Sequence, residues 1–398
     1  MVDVPDADAD DAWAPRWHQL LLSLAGRLPD DLVSEARAWL AAGLRLDVAQ
    51  AIAFAVTAGN VSVGAAELLL VRAELATAGH DTDIAAALDA LAPDAPESGA
   101  PEPAVDAGPL AWEFHSTEPA AGATGTVLPL DLTGRAAAAA VPDPPAADPD
   151  AAMVAAVESE LTVVGLWRAW RLPAGGAPWP APKRVYVVTV DRDTSGYRPD
   201  VWPLAVADRL GAALETAGEP SPQVEVCLAG REPPPYQVLA RSCGALLWAR
   251  QPATRVTIAR VFDEVDPVAG PRFAAARPRL ADPAARADLL ARLEAGTPVL
   301  GTSSRMVDVV DPARGEVVPM TFRTDGHWIW TDTCAYYLDQ HGVLPDPDLV
   351  RHLAFGPAGL LADEVAQHRV LAHLLGQHTE EPVWVVPQMG APLDADRP

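Results

Sequence analysis

Two carboxylates spaced i and i+2, Asp191 and Asp193, stand at the end of the apolar run Val185 to Val188, with hydroxyls at Thr194 and Ser195 and Gly196 behind them. The carboxyl end of a strand in an open α/β sheet is where ligands are usually held, and hard oxygen ligands at such spacing suit Mg²⁺. Asp191, Asp193 and Ser195 are therefore the candidate metal ligands. Asp191 and Asp193 are the candidate catalytic pair of a Mg²⁺-dependent hydrolase or phosphotransfer enzyme. The same residues also describe a plain solvated turn between a strand and a helix, which needs no chemistry and is the more economical reading.

A second concentration of chemistry-bearing residues is the stretch TFRTDGHWIWTD, residues 321–332. Asp-Gly between two β-type runs is a strong hairpin signal. Alternation along the second strand puts Trp328 and Trp330 on one face and His327 and Ile329 on the other. Thr331 or Asp332 is placed to cap the helix that follows. Read as an active site, the stretch offers Asp325, His327 and Asp332 as acid–base groups. No serine or cysteine nucleophile is placed by spacing, however, since Cys334 falls on the apolar face of the next helix. Read as structure, it is a tryptophan-rich hairpin packed on a helix. Read as a surface, Trp328, Trp330, Arg323 and Tyr336 are residue types that anchor interfaces.

A third set is His368, His373 and His378 with Glu364. A spacing of five does not keep histidines on one helical face, whereas zinc-binding helices use i, i+4. His368 lines up with Leu361, Val365, Ala372 and Leu375 and reads as a core histidine. The phosphate-loop, dinucleotide, nucleophile-elbow and zinc-protease signatures are absent from the sequence. No cofactor is expected beyond the Mg²⁺ of the first reading.

The turn around Asp191 resembles the first motif of haloacid-dehalogenase-type phosphatases and the Asp-x-Ser-x-Ser metal motif of von Willebrand A domains, over one short turn only. The first resemblance implies a downstream lysine, but Lys183 lies upstream in the same strand; the second has Asp193 where a serine is expected. The stretch 321–332, with YYLDQHGVLPDPDL behind it, is similar to segments of an uncharacterised actinobacterial protein family. That resemblance implies a high-GC Gram-positive source and a lineage-specific accessory role, and brings no activity with it.

The 398 residues carry a formal charge of −25, so phosphate backbones and anionic lipid headgroups are repelled. Nucleic acid and membrane are excluded as expected partners, because the longest basic cluster is Lys183–Arg184, which holds the only lysine of the chain. Three cysteines far apart, Cys227, Cys243 and Cys334, point to a reducing compartment. The acidic N-terminus lacks the basic start of a secretory signal, and no apolar run reaches the ~18 residues needed to span a bilayer. A cytoplasmic location follows as the expectation.

These groups must be positioned by a multidomain chain: a small all-α N-terminal bundle, a disordered Pro/Ala linker, and an α/β C-terminal region with a mixed sheet. Short amphipathic helices are predicted over 14–92: one from Pro15, one following Asp30 and Asp31, one carrying Val48, Ala49, Ile52 and Val56, one from near Ser62 and one from Thr82 to Leu91. Too short to be stable alone, they must pack on one another, giving a bundle over 1–92. Residues 93–150 are dominated by Pro, Ala, Asp, Gly and Glu, a composition that cannot offset its ordering entropy. Two apolar islands interrupt that linker: Trp112 with Phe114, and Val127, Leu128 and Leu130. An α/β domain is predicted over 151–266. It has strands at 161–172, 184–191, 223–228 and 255–262, a helix after Asp200, and another carrying Tyr236, Leu239, Cys243, Leu246 and Leu247. Residues 267–398 form a mixed α+β segment, either continuous with 151–266 or separate from it, with helices after Asp282, Thr331 and Asp346 and a last one over 360–375.

The expectation is a non-enzymatic binding or adaptor protein, of an immunity or regulatory kind, engaging a protein partner. The Mg²⁺-dependent hydrolase or phosphotransfer enzyme is the alternative.

Overall fold

The run VVGLWRAWRLP, residues 163–173, becomes the central strand of a six-stranded sheet. A computed structural model describes residues 13–59, 61, 63–77, 79, 111–119, 127–134, 148–177, 179–191, 202–356 and 361–376. The chain divides into two compact units between Pro252 and Ala253.

The first unit contains helices α1 (Trp13–Leu24), α2 (Asp30–Ala41), α3 (Arg45–Gly59) and α4 (Ala65–Thr77), then α5 (Pro149–Glu158), α6 (Trp202–Thr216) and α7 (Pro235–Ser242). Its strands are β1 (Trp112–His115), β2 (Leu130–Asp131), β3 (Val163–Pro173), β4 (Lys183–Val190), β5 (Val224–Leu228) and β6 (Ala245–Ala249). The sheet runs β2-β6-β3-β4-β5, with β1 also on β3. Strand β3 is antiparallel to β4, β6 and β1, while β4–β5 and β2–β6 are parallel, so the sheet is mixed. Both β1 and β2 arise from the apolar islands of the stretch expected as linker. The neighbouring residues 80–110 and 135–147, including the helix expected from Thr82, lie outside the described residues.

Alternation along β4 and β5 sends Tyr186, Val188, Val190, Val224 and Val226 to one face, where Met153 and Val157 of α5 and Val206, Leu210 and Leu214 of α6 cover them. The opposite face carries Val185, Val187 and the carboxylate of Glu225, all buried. There Gln237 of α7 donates to Glu225 at 2.8 Å.

The predicted helix through Leu246 and Leu247 is corrected: it stops at Ser242, and residues 245–249 are strand β6. Leu246 and Leu247 are both buried, since the sheet is covered on two sides, and such a run does not distinguish strand from helix by periodicity. The strand expected over 255–262 shrinks to β7 (Thr257–Ile258). It does not close this sheet but pairs in parallel with a strand of the second unit.

The N-terminal helices pack on one another through Trp17, Leu20, Leu24, Leu40, Ile52, Val56 and Leu68, and their core reaches Leu204 of α6. They also cover the sheet edge. In a parallel pair successive carbonyls point to opposite sides: Gln223 O accepts from Tyr186 N, which leaves the carbonyls of Val224 and Val226 facing outward from β5. Arg37 of α2 donates to Val224 O at 2.9 Å, and His18 Nε2 of α1 donates to Val226 O at 2.8 Å. An open edge is a template for unwanted pairing, and a covering helix removes it.

The second unit holds the sheet β10-β13-β14-β7, formed with β10 (Thr297–Leu300), β13 (Phe322–Thr324) and β14 (Trp328–Thr331). Two small hairpins accompany it, β8 (Glu264–Asp266) with β9 (Gly270–Arg272), and β11 (Arg305–Val307) with β12 (Glu316–Pro319). Helices α8 (Pro283–Glu294), α9 (Asp332–His341), α10 (Pro347–Phe355) and α11 (Glu364–Leu375) complete it. Asp-Pro starts α5, α8 and α10 alike. In each the aspartate accepts from the N–H two residues on, and proline fills the first turn, where its missing N–H costs nothing.

Candidate binding groove

The sequence-derived residues are dispersed among the described parts of the fold. Asp191 follows β4 and is exposed; its Oδ2 accepts from Arg250 Nη1 at 3.1 Å. A guanidinium thus occupies one of the oxygens offered to a cation. Asp193 and Ser195 lie outside the described residues, as does His378. Among the described residues no three His, Cys, Asp or Glu side chains are grouped to hold a metal ion. None of the three cysteines forms a disulfide, and His368 is buried.

The predicted hairpin is present, with Phe322 opposite Thr331 and Thr324 opposite Ile329. Asp325 and His327 sit at its turn, whereas Asp332 is at the far end where α9 begins, so these three do not converge. Asp325 closes the turn by accepting from the N–H groups of His327 and Trp328, and its Oδ2 accepts from His352 Nε2 at 2.5 Å. Burial opposes ionisation of Asp325, but the Trp328 N–H and the His352 ring outweigh it and hold the carboxyl below its usual range. His327 is exposed beside this pair, its ring centre 6.4 Å from that of His352.

The side chains expected to form a binding surface on the hairpin are mostly engaged in the unit's own packing. Trp330 is 2% exposed, rests against Leu293, Cys334 and Leu338, and donates Nε1–H to Leu293 O at 3.1 Å. Its indole lies where a Cβ on Gly296 would be, 2.2 Å from Cζ2, so that position requires glycine. Arg323 binds Asp332 and the carbonyls of Glu294 and Gly296. With Asp332 so occupied, neither it nor Thr331 gives α9 a side-chain cap. Tyr336 donates to Asp308 Oδ2 at 3.0 Å. Asp308 is fully buried and also receives His341 Nε2 and the N–H groups of Val310 and Asp311. Burial again opposes the charge, and these donors, His341 first, hold the carboxyl below its usual range. Of the four, only Trp330 is buried; Arg323, Tyr336 and Trp328 are half-buried, Trp328 with its ring beside His352.

The residues that do converge on open space lie in the first unit, at the end of the β3–β4 hairpin. A groove of about 560 Å³ runs there between the α1–α2 turn, β1, the β3–β4 connection and the approach to β5. That volume is in the range of ligand sites. Three indoles line it: Trp112, Trp170 and Trp179. Trp179, between the prolines of the connection, is 79% exposed, whereas Trp170 is 8% exposed. Pro180, Ala181 and Pro182 continue the wall.

Local geometry holds this lining in place. Antiparallel register sets Trp170 opposite Arg184 and Arg171 opposite Lys183. The Arg184 guanidinium lies 4.7 Å from the Trp170 ring centre, and that of Arg171 lies 4.2 Å from Trp112. Both are cation–π distances. Arg171 grips Asp30 with two bonds, 2.7 and 2.6 Å, and Lys183 Nζ reaches Asp30 Oδ2 at 3.1 Å. Burial opposes the Asp30 charge, but the bonds from Arg171 and then Lys183 hold the carboxyl below its usual range. Arg184 pairs with Glu219 at 2.9 Å.

Trp112 is pinned by its Nε1–H donating to Gly26 O at 2.6 Å. Gly26 has φ +73°, and a Cβ there would lie 2.4 Å from the Tyr236 ring. Only glycine therefore lets the α1–α2 turn approach so closely.

None of the groove residues belonged to the candidate set read from sequence. The available signals were a tryptophan isolated in a Pro/Ala/Gly connection and the only lysine of the chain directly after it. No helix among the described residues is long and apolar enough to cross a membrane. Compared with known proteins, the chain matches no family model, no curated protein and no solved structure.

Proposed function

We propose that this chain is a non-enzymatic binding protein, an adaptor of an immunity or regulatory kind, that engages a protein partner through the tryptophan-lined groove of its first unit. The observation that carries the reading is Trp179, 79% exposed beside a groove of about 560 Å³. An indole held in water at the rim of a preformed groove costs the fold apolar exposure and is the residue type most enriched at interface hot spots. The dispersal of Asp325, His327 and Asp332, and the arginine on Asp191, favour binding over the Mg²⁺-dependent hydrolase. The acidic surface directs the search to proteins rather than to nucleic acid or membranes.

The test is co-purification from the native host with the tagged full-length chain at native expression, comparing wild type with Trp179→Ala. A reproducible partner present with wild type and depleted at least about tenfold with the variant is expected, since an indole buried on binding is worth more than about 1.4 kcal/mol. A partner set identical for both proteins, or none at all, refutes the reading.

A further inference from the structure

We infer that the occupant of the groove is a proline-rich segment of a partner protein, in the polyproline II conformation, carrying a carboxylate that lies against Lys183. The inference rests on the binding role proposed above and names the chemistry of its partner.

The first argument is the shape of the lining. Trp112, Trp170 and Trp179 line the groove; Trp179 is 79% and Trp170 8% exposed, and guanidinium groups stack on Trp112 and Trp170. Spaced aromatic walls accept the ridges of a polyproline II helix, which has few internal donors to satisfy and little conformational entropy left to lose. A helix or strand ligand would instead need a broad apolar trough or a free strand edge. Here the β5 edge is already covered by Arg37 and His18.

The second argument is charge. The groove is lined by the cations Arg171, Lys183 and Arg184 but by only two carboxylates, Asp30 and Glu219. Arg171 already binds both oxygens of Asp30, and Glu219 is taken by Arg184. Lys183 is the surplus cation. Its ammonium has three hydrogens, and Asp30 Oδ2 is its one hydrogen-bond acceptor among the described residues. In a chain of charge −25 this lining holds three cations against two carboxylates, and an acidic residue on the ligand completes the set.

The experiment titrates the full-length chain with four synthetic peptides of equal length: proline-rich acidic, proline-rich neutral, proline-rich basic, and acidic without proline. Calorimetry gives affinity. Because Lys183 is the only lysine, its acetylation rate by an amine-directed reagent, read by mass spectrometry, reports occupancy.

The acidic proline peptide should bind best and protect Lys183. Its advantage over the neutral one should be about threefold, as for a partly exposed ion pair. Trp179→Ala should weaken both by about tenfold or more. Lys183→Gln should bring the acidic-to-neutral affinity ratio to about one, a ratio in which any general effect of the substitution on the groove cancels. Thermal melts should show all three proteins folded, with Lys183→Gln lowered slightly by the loss of its bond to Asp30.

The inference is overturned if no proline peptide binds, if the acidic peptide without proline binds equally well, or if the basic peptide matches the acidic one. If all peptides fail while co-purification still depends on Trp179, the occupant's chemistry is wrong and the binding role stands. If both fail, both fall.

Discussion

Acidification from neutral pH should remove stability from the first unit through one imidazole. His18 is 5% exposed, donates to Val226 O, and lies close enough to Arg37 for the two charges to repel. Burial, and then Arg37, lower its pKa from 6.5 to about 4, so the folded protein holds it neutral as the Nε2–H tautomer. The unfolded chain takes up a proton near pH 6.5 and the folded chain near 4. The stabilisation is therefore complete above pH 6.5, declines as pH falls through that window, and is exhausted near pH 4. A displacement of this size corresponds to about 3 kcal/mol at 1.36 kcal/mol per pH unit.

His18→Gln supplies an amide N–H for Val226 O but does not titrate. Urea denaturation of both proteins between pH 7 and 4, with hydrogen exchange of α1 and β5 to localise the loss, isolates the term. The variant should be the less pH-sensitive by about 3 kcal/mol across the window. Asp30, Asp308 and Asp325, whose depressed pKa values make them lose stability only below the carboxylate range near 3.8, are present in both proteins and cancel. A wild-type-minus-variant difference that stays flat from pH 7 to 4 would refute the reasoning.

Three further outcomes follow from the packing. Arg37→Met leaves Glu225, 1% exposed, without its ion-pair partner and Val224 O without its donor; it should cost about 3–5 kcal/mol in chemical denaturation. Replacing Glu225 by Leu as well should recover part of that loss. Gly26→Ala forces a side chain into a left-handed turn and against the Tyr236 ring, and should cost about 2 kcal/mol or more, read as a lowered Tm with altered near-ultraviolet dichroism. Trp330→Phe removes the bond to Leu293 O and leaves a void over Gly296, and should cost about 2–3 kcal/mol in the second unit, while peptide binding to the groove is unchanged.

Local rules made much of this protein legible in its sequence. Asp-Pro marked the starts of α8 and α10 because capping and a fixed φ act within three residues. Asp-Gly marked the hairpin at 325–326 for the same reason of range. Helical spacing found the N-terminal helices, since one apolar stripe suffices to define a helix face.

Tertiary structure alone decided the rest, wherever the relevant partners lie far apart in the chain. Residues 245–249 are strand because β3 and β2 offer them ladders on either side, a fact that no window around them contains. Trp112 and Leu130, apolar islands in a polar stretch, become strand residues because β3 and β6 offer them ladders. Trp330 is core and Trp179 is surface, although indole chemistry is identical in both. The groove gathers Asp30, Trp112, Arg171, Lys183 and Glu219 from five separate places. Its charge surplus exists because Arg171 already takes both oxygens of Asp30, a consequence of three-dimensional proximity that sequence spacing does not encode.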